Sequence, residues 1–140
     1  MPMTNQAVYP QTPATEIATL TAPTAITSRA NITSTTGLVQ LTAISVTNPK
    51  RVDAIVVKSK GTSLAGILFV WLYDGTTSYL RDEIDLTAVT PSTTVDSMLV
   101  AKNYITNAPE GSIQLKVTHQ LYISTTVQQD LNVFATTGQY

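Results

Sequence analysis

The sequence predicts an all-β protein, a single antiparallel β-sandwich of the jelly-roll type. β-Branched residues, threonine above all, are abundant from Thr15 onward, and such residues favour strands. No apolar spacing near 3.6 residues continues long enough for a helix. Turn signals made of Gly, Pro, Asn and Asp recur about every 10 residues, as is typical of two-sheet sandwiches.

The size and composition of the chain indicate one domain with a weakly charged surface. The chain has 140 residues and a mass of 15.0 kDa, and 12% of its residues are charged. That charged fraction is about half of the roughly 25% usual in soluble domains, so the surface is poorly protected against association. The net charge of −1 provides no electrostatic footprint for nucleic acid. The chain has no cysteine, which excludes disulfides and thiolate metal sites.

The N-terminal residues predict an extended arm ahead of the sandwich. Residues 1–14 contain three prolines among Thr, Gln and Asn, and we expect this arm to continue as far as Pro23 if it docks on a neighbour. Val8 and Tyr9 are the apolar points with which it would make that contact. The sandwich domain is predicted over residues 15–140. No signal peptide is expected, because the N-terminus has neither a basic start nor an apolar core segment. No membrane-spanning segment is expected either, because the longest apolar run, residues 64–73, is too short.

Nine strands are predicted in chain order, each bounded by a turn signal: 15–21, 25–32, 38–47, 51–59, 64–73, 78–86, 94–102, 112–121 and 131–136. Asp74-Gly75 lies between the fifth and sixth of these and predicts an antiparallel hairpin. The eighth, residues 112–121, alternates apolar and polar side chains as a half-exposed strand should, with Ile113 and Leu115 among its inward residues.

The fifth predicted strand differs from its neighbours because both of its faces are apolar. Leu68 and Val70 point one way, and the side chains at 67, 69, 71 and 73 point the other. A simple sandwich strand is apolar on one face only, so we expect the outer face to be covered by the arm or by a second subunit. Residues 51–59 show the same double-sided pattern. The hypothetical subunit interface therefore consists of Ala54, Val56, Phe69, Trp71 and Tyr73.

The sequence offers few groups for chemistry, and we expect no catalytic residue, metal ligand set or cofactor. His119 is the only histidine and no nucleophile elbow accompanies it. Asp82, Glu83 and Asp85 form an acidic cluster, which is best interpreted as a solvated edge or as ion pairs, because a calcium loop with its glycine is missing. Basic residues near 50–60 lack interleaved aromatic residues and are interpreted as surface lysines around turns. The protein is therefore predicted not to be an enzyme.

The run RVDAIVVKSKGTSLAGILFVWLYDGTTSYLRDEI, followed by the closing NVFATTGQY, resembles a family of small virion proteins of tailed bacteriophages. The family pattern falls on Arg51, Val52, Asp53, Ile55, Val57, Lys58, Gly61, Thr62, Gly66, Tyr73, Asp74, Gly75, Leu80, Glu83, Ile84, Asn132, Val133, Ala135 and Gly138. The resemblance covers residues 37–140 and excludes the arm. At Ala54, Val56 and Phe69 this chain has apolar residues where the family tends to have basic or polar ones.

The resemblance implies a structural protein of the virion, made in the host bacterial cytoplasm and located at the capsid surface. We expect a homotrimer that decorates or cements the shell and whose partners are itself and the major capsid protein. No membrane partner is expected. An adaptor of the tail, collar or fibre is one alternative. A carbohydrate-binding module for host glycans, with the aromatic face as the sugar platform, is the other.

Overall fold

The computed structural model describes residues 13–105 and 111–139 and is all-β within those ranges. Its nine strands are β1 (Ala14–Leu20), β2 (Val39–Gln40), β3 (Lys50–Ser59), β4 (Gly66–Tyr73), β5 (Ser78–Leu86), β6 (Leu99–Asn103), β7 (Ile113–Leu115), β8 (Gln120–Thr125) and β9 (Leu131–Gln139). No helix long and apolar enough to cross a membrane occurs in these ranges.

The strands form two antiparallel sheets, which we call sheet A and sheet B. Sheet A has the order β1-β9-β3-β6, and β7 pairs with the first residues of β3. Sheet B has the order β2-β8-β4-β5. All strand pairs within these sheets are antiparallel, which confirms the predicted antiparallel β-sandwich class. The jelly-roll topology stays a prediction. Of the predicted arm at residues 1–14, residues 1–12, with Val8 and Tyr9, lie outside the described residues.

The core lies between the two sheets and is built from alternate residues of each strand. On sheet B, Leu68 and Val70 of β4 point inward, and on sheet A, Val52, Ile55 and Val57 of β3 do so. These five side chains are fully buried. At about 1.5–3 kcal/mol for each buried side chain of this size, the core is the main source of stability.

The predicted hairpin is confirmed. β4 pairs antiparallel with β5 from Gly66↔Leu86 to Tyr73↔Ser78. In the connecting turn, the Asp74 carboxylate accepts hydrogen bonds from the backbone amides of Thr76 and Thr77, and Gly75 has φ of +105°. The two amide bonds to the carboxylate lower the pKa of Asp74.

Four strand predictions are wrong in whole or in part. Residues 38–47 form a strand only at Val39–Gln40, and the strand predicted at 94–102 begins only at Leu99. Residues 25–32 are not a strand, since their backbone pairs with sheet B only at the isolated bridges Ala25↔Thr125 and Ile32↔Ser78. Residues 112–121 are divided between β7 and β8, because the chain turns at 116–119 with Thr118 at φ of +74°. That turn is held by hydrogen bonds from Thr118 N to Ser45 O and from His119 N to Lys116 O.

Candidate interaction surface

Residues 22–37 cover the outer face of sheet B, for which the sequence predicts the arm or a second subunit as the cover. We call this segment the strap. It pairs beside β8, where Ile26 N donates to Thr125 O, and then pairs with the free edge of β5, where Ile32 and Ser78 exchange backbone hydrogen bonds. Since β4 lies between β8 and β5, the strap must cross β4 between these two points. It then returns to β2, and Gly37 on the return lies against the side chain of Ile26.

Phe69 and Trp71 are fully buried within a single chain, and Arg29 of the strap lies over the Phe69 ring. The two rings meet edge to face with centroids 5.9 Å apart, and the Trp71 indole N–H donates to Ser124 Oγ at 2.9 Å. Neither side chain is therefore available to a second subunit or to a sugar ring. Burial by the chain itself corrects the prediction that these two residues belong to a subunit interface or to an aromatic sugar platform.

Arg29 holds the middle of the strap against the sheet. Its guanidinium lies 5.3 Å from the centre of the Phe69 ring and donates from Nε and Nη2 to Glu83 Oε1. Glu83 on β5 is the register partner of Phe69, so the Arg29–Glu83 ion pair lies beside the Phe69 ring. The hydrogen bond and the charge of Glu83 raise the pKa of Arg29. Because the ion pair is exposed to solvent, we expect it to position the strap more than to stabilise the fold.

Tyr73, the third aromatic residue of the predicted interface, lies at the end of β4 and is half-buried. Its ring meets Tyr122 edge to face at 5.5 Å, and its hydroxyl donates to Gly75 O. Its place in a subunit interface stays a prediction.

The outer face of sheet A has an apolar row that crosses all four strands of its main path. Ile17 of β1 is in register with Phe134 of β9, Phe134 with Val56 of β3, and Val56 with Ala101 of β6. We call these four residues the apolar row. Ile17 is 62% exposed and Ala101 is exposed, whereas Phe134 and Val56 are half-buried. Side chains in register on one face are direct neighbours, so the row is continuous.

The rows on either side of the apolar row are almost without charge. One contains Thr15, Thr136, Ala54 and Asn103, and the other contains Thr19, Asn132, Lys58 and Leu99. Lys58 is the one charged residue among these eight, and its ammonium donates to Ser97 O. The predicted interface residues Ala54 and Val56 both lie on this face, and neither is fully buried. Sequence reasoning missed Ile17 and Phe134, since their alignment with Val56 depends on pairing between distant strands.

Apolar side chains are also exposed along β6, the edge strand of sheet A. Leu99 is 62% exposed, Ala101 is exposed, and Ile105, two residues beyond the strand, is 58% exposed. We call these three residues the β6 margin. Natural proteins commonly protect edge strands with charge, proline or a bulge. Lys102, the charged residue of β6, instead donates from Nζ to Asp82 Oδ1 on β5 at 2.7 Å.

Asp82, Lys102 and Tyr104 connect the open margins of the two sheets. The Tyr104 hydroxyl donates to Asp82 Oδ2 at 2.7 Å, beside the Lys102 ion pair. Burial raises the pKa of Asp82, but the hydrogen bonds from Lys102, Tyr104 and the Glu83 backbone outweigh it, so the net shift is downward. Burial, followed by the bond to Asp82, raises the pKa of Tyr104. With Glu83 paired to Arg29, two of the three predicted acidic residues form ion pairs, and Asp85 is exposed.

A buried ion pair occupies the opposite margin of the sandwich. Lys50 Nζ lies 3.0 Å from Glu16 Oε1 and donates to Ala43 O at 2.8 Å, while Ala43 N–H donates to the same Glu16 oxygen. Lys50 is 5% exposed, so it is not the surface lysine that the sequence predicts. Its ammonium and the Glu16 carboxylate join β3, β1 and the segment after β2.

The described residues bring no reactive cluster together. No group of three or more His, Asp or Glu side chains that could hold a metal ion occurs within residues 13–105 and 111–139. A shallow depression of about 570 Å³ at one end of the sandwich is lined by Lys60, Leu64 and Asp130, among others. Asp130 Oδ1 accepts from Ala22 N there, and Gln129 bonds both the N–H and the C=O of Leu64. These groups stabilise loops.

The fold and these surfaces define a two-sheet β protein whose main unexplained feature is an apolar outer face. Comparison with protein-family models and with curated proteins found no match to this chain.

Proposed function

We propose that this protein is a non-enzymatic structural protein of a tailed-bacteriophage particle, which self-associates as a trimer and decorates or cements the capsid shell. The resemblance of residues 37–140 to small virion proteins supports the proposal that the protein belongs to a phage particle. The apolar row on sheet A supports the self-association.

The apolar row carries the proposal because water-exposed apolar surface of this continuity favours a protein partner. It runs across four strands, its flanking rows contain one charged residue, and the chain as a whole has a net charge of −1. Burying apolar surface contributes about 25 cal/mol per Å² removed from water, whereas few charges on this face would lose hydration on association. Isolated apolar residues on a surface are ordinary, but a contiguous patch marks an interaction site.

The proposed mechanism is mechanical. Each trimer contacts neighbouring subunits of the major capsid protein through many weakly polar contacts. Once one copy of the trimer is bound, the other two are held near their own sites at a high effective concentration, so the contacts act together. Shells that separate their subunits during expansion or heating would lose several such contacts at once.

The self-association is tested by sedimentation of the purified chain. We expect a species of about 45 kDa at micromolar concentration, three times the 15.0 kDa of one chain. Val56→Asp places a charge in the apolar row and should give a monomer that remains folded. Tyr79→Asp is the matched control, since Tyr79 is 41% exposed on sheet B, and it should leave the trimer intact. A wild-type chain that sediments as a monomer contradicts the proposal.

The location in the particle is tested by binding to expanded empty shells. The protein should bind in a number of copies that matches three at each local threefold axis, and the bound shells should resist heating better than bare shells. Val56→Asp should bind at least tenfold more weakly if multivalency through the trimer is required. Saturation at about a dozen copies or fewer in each particle would instead identify an adaptor of the tail or collar.

A further inference from the structure

We propose that the strap is a lid: it opens and closes over Phe69 and Trp71 while the two sheets stay folded, and the Arg29–Glu83 ion pair favours the closed form. This inference does not depend on the self-association proposed above. It concerns a single chain and the outer face of sheet B.

The path of the strap places it across the two aromatic side chains. At its start, Ala25 bridges to the residue of β8 that pairs near the start of β4, and at its end, Ile32 bridges to the residue of β5 that pairs with the last residue of β4. The strap therefore crosses β4 diagonally. Phe69 and Trp71 alternate with the core residues of β4 and so point outward, yet both are fully buried. The strap is the segment that crosses over them.

The backbone of the strap is bonded to sheet B mainly at its two ends. Ile26 N donates to Thr125 O, and Ile32 and Ser78 exchange two backbone hydrogen bonds, with a further bond from the Ser78 hydroxyl to a strap carbonyl. Among the described residues, no backbone atom of 27–31 bonds to sheet B. Most residues of the strap are exposed. Segments with few buried apolar contacts open more often than the core of a protein.

The side chains that hold the middle of the strap are charged and partly wet. Ile26 and Ile32 are half-buried, and Arg29, midway between them, lies over the Phe69 ring and bonds to Glu83. The Arg29 and Glu83 side chains are 56% and 37% exposed, so water competes for both groups. Ion pairs of this kind favour one conformation only modestly. The contact can therefore break and re-form without unfolding either sheet.

Sheet B does not need the strap for its own strand pairing. β4 pairs with β5 on one side and with β8 on the other, and the Trp71 indole donates to Ser124 of β8. Opening the strap breaks no hydrogen bond between these strands. It exposes two aromatic side chains to water, and this cost keeps the open form a minor state.

Hydrogen exchange tests whether the strap opens separately, because two of its amides report on its two ends. The amides of Ile26 and Ile32, which donate to sheet B, should share one opening constant and should be less protected than the amides of β4 by about tenfold or more. Low concentrations of urea should accelerate exchange in β4 more than in the strap, since global unfolding exposes more surface. Strap amides that exchange only together with β4 would overturn the inference.

The role of the ion pair is tested with variants of both partners. Arg29→Ala removes the ion pair and the contact with the Phe69 ring, and should accelerate exchange of the strap amides by about tenfold. Glu83→Gln removes the ion pair alone and should accelerate it by about threefold. Asp85→Asn is the matched control, because Asp85 is exposed two residues away on the same strand, and it should leave the exchange unchanged. Unchanged exchange in Arg29→Ala would overturn the role of the ion pair.

Trp71 is the only tryptophan of the chain, so its fluorescence reports directly on the covered face. Acrylamide should quench Trp71 more strongly in Arg29→Ala than in the wild type. Arg29→Lys keeps the positive charge and should lie closer to the wild type. Equal quenching in Arg29→Ala and the wild type, with strap exchange accelerated, would show that the strap opens without uncovering Trp71 and would overturn its assignment as the lid of this residue.

Discussion

For Phe69 and Trp71, the sequence shows that a cover is needed but not which part of the protein provides it. Their pattern in the sequence indicates an apolar outer face that needs a cover, and the structure agrees, because both side chains are fully buried. The sequence does not reveal which atoms provide that cover. The strap is mostly polar and contacts the Phe69 ring through Arg29, while Ser124 of β8 accepts from the Trp71 indole. No local pattern in residues 22–37 indicates this role.

Truncation of Trp71 should therefore destabilise the single chain. We expect Trp71→Ala to reduce the free energy of unfolding by about 3–5 kcal/mol, because a fully buried indole leaves a cavity. Urea denaturation followed by circular dichroism measures the loss. Val56→Ala is the contrasting variant, since Val56 is half-buried on the other sheet, and it should have a smaller effect on unfolding. A Trp71→Ala chain that dissociates but unfolds like the wild type would return Trp71 to a subunit interface.

Asp82 should make stability depend on pH. Its pKa in the folded chain lies below that in the unfolded chain, so its ionised form contributes stability at neutral pH, and this contribution is lost as the pH falls below about 4. Asp82→Asn should cost about 1–3 kcal/mol at pH 7, because the Lys102 ammonium and the Tyr104 hydroxyl lose a charged acceptor.

Thermal unfolding at pH 7 and pH 3 tests the role of Asp82. The difference in Tm between wild type and Asp82→Asn should be largest at pH 7 and should shrink at pH 3. Tyr104→Phe removes one hydrogen bond but keeps the Lys102 ion pair, so it should retain part of the pH dependence. An equal difference at both pH values would show that Asp82 acts by packing alone.

At the level of strands and turns, the sequence predicts a turn correctly where a residue with a strong turn preference, such as glycine, is present. Asp74-Gly75 predicts the β4–β5 hairpin, because Gly tolerates the positive φ that the turn needs. The turn at 116–119 has no glycine or proline, and Thr118 adopts φ of +74° with its amide bound to Ser45 O. A contact with a segment about 70 residues away stabilises that turn, and the alternating pattern around it therefore predicts a single strand wrongly.

Gly75 should be sensitive to substitution although nothing crowds it. A Cβ there would meet no atom within 4 Å, so the cost of Gly75→Ala comes from φ of +105° alone. We expect about 1–2 kcal/mol of destabilisation by urea denaturation. Gly61→Ala is the matched control, because that site is equally open and its φ is not positive, and it should change stability by less than about 0.5 kcal/mol. Equal effects of the two substitutions would mean that turn geometry does not govern this hairpin.

For the molecule as a whole, the two sheets differ in whether the chain itself covers their outer faces. The strap covers sheet B, whereas sheet A leaves Ile17 and Leu99 exposed at its two edges. The charged side chains that the structure places near sheet A are largely paired with each other or with backbone, as Lys50, Lys58 and Lys102 show. The resulting face has little charge and has the apolar row at its centre.

Association through sheet A should therefore be insensitive to salt. Because Debye screening weakens exposed ion pairs but not apolar contacts, raising NaCl from 0.1 M to 1 M should change the association constant by less than about threefold. Sedimentation at several protein concentrations measures it. Weakening by about tenfold or more would show that ion pairs, and not the apolar row, hold the copies together.

Local information was sufficient for the all-β class, the hairpin, the double-sided burial of β4 and the outward placement of Ala54 and Val56, because strand period and turn chemistry act over a few residues. The choice between the two apolar outer faces depended on pairing between distant segments. Residues 22–37 close one face by bonding to Thr125 and Ser78, while register across β1, β9, β3 and β6 aligns Ile17 and Phe134 with Val56 on the other. Such contacts form only when the chain is folded, so composition and period cannot reveal which face remains open to a partner.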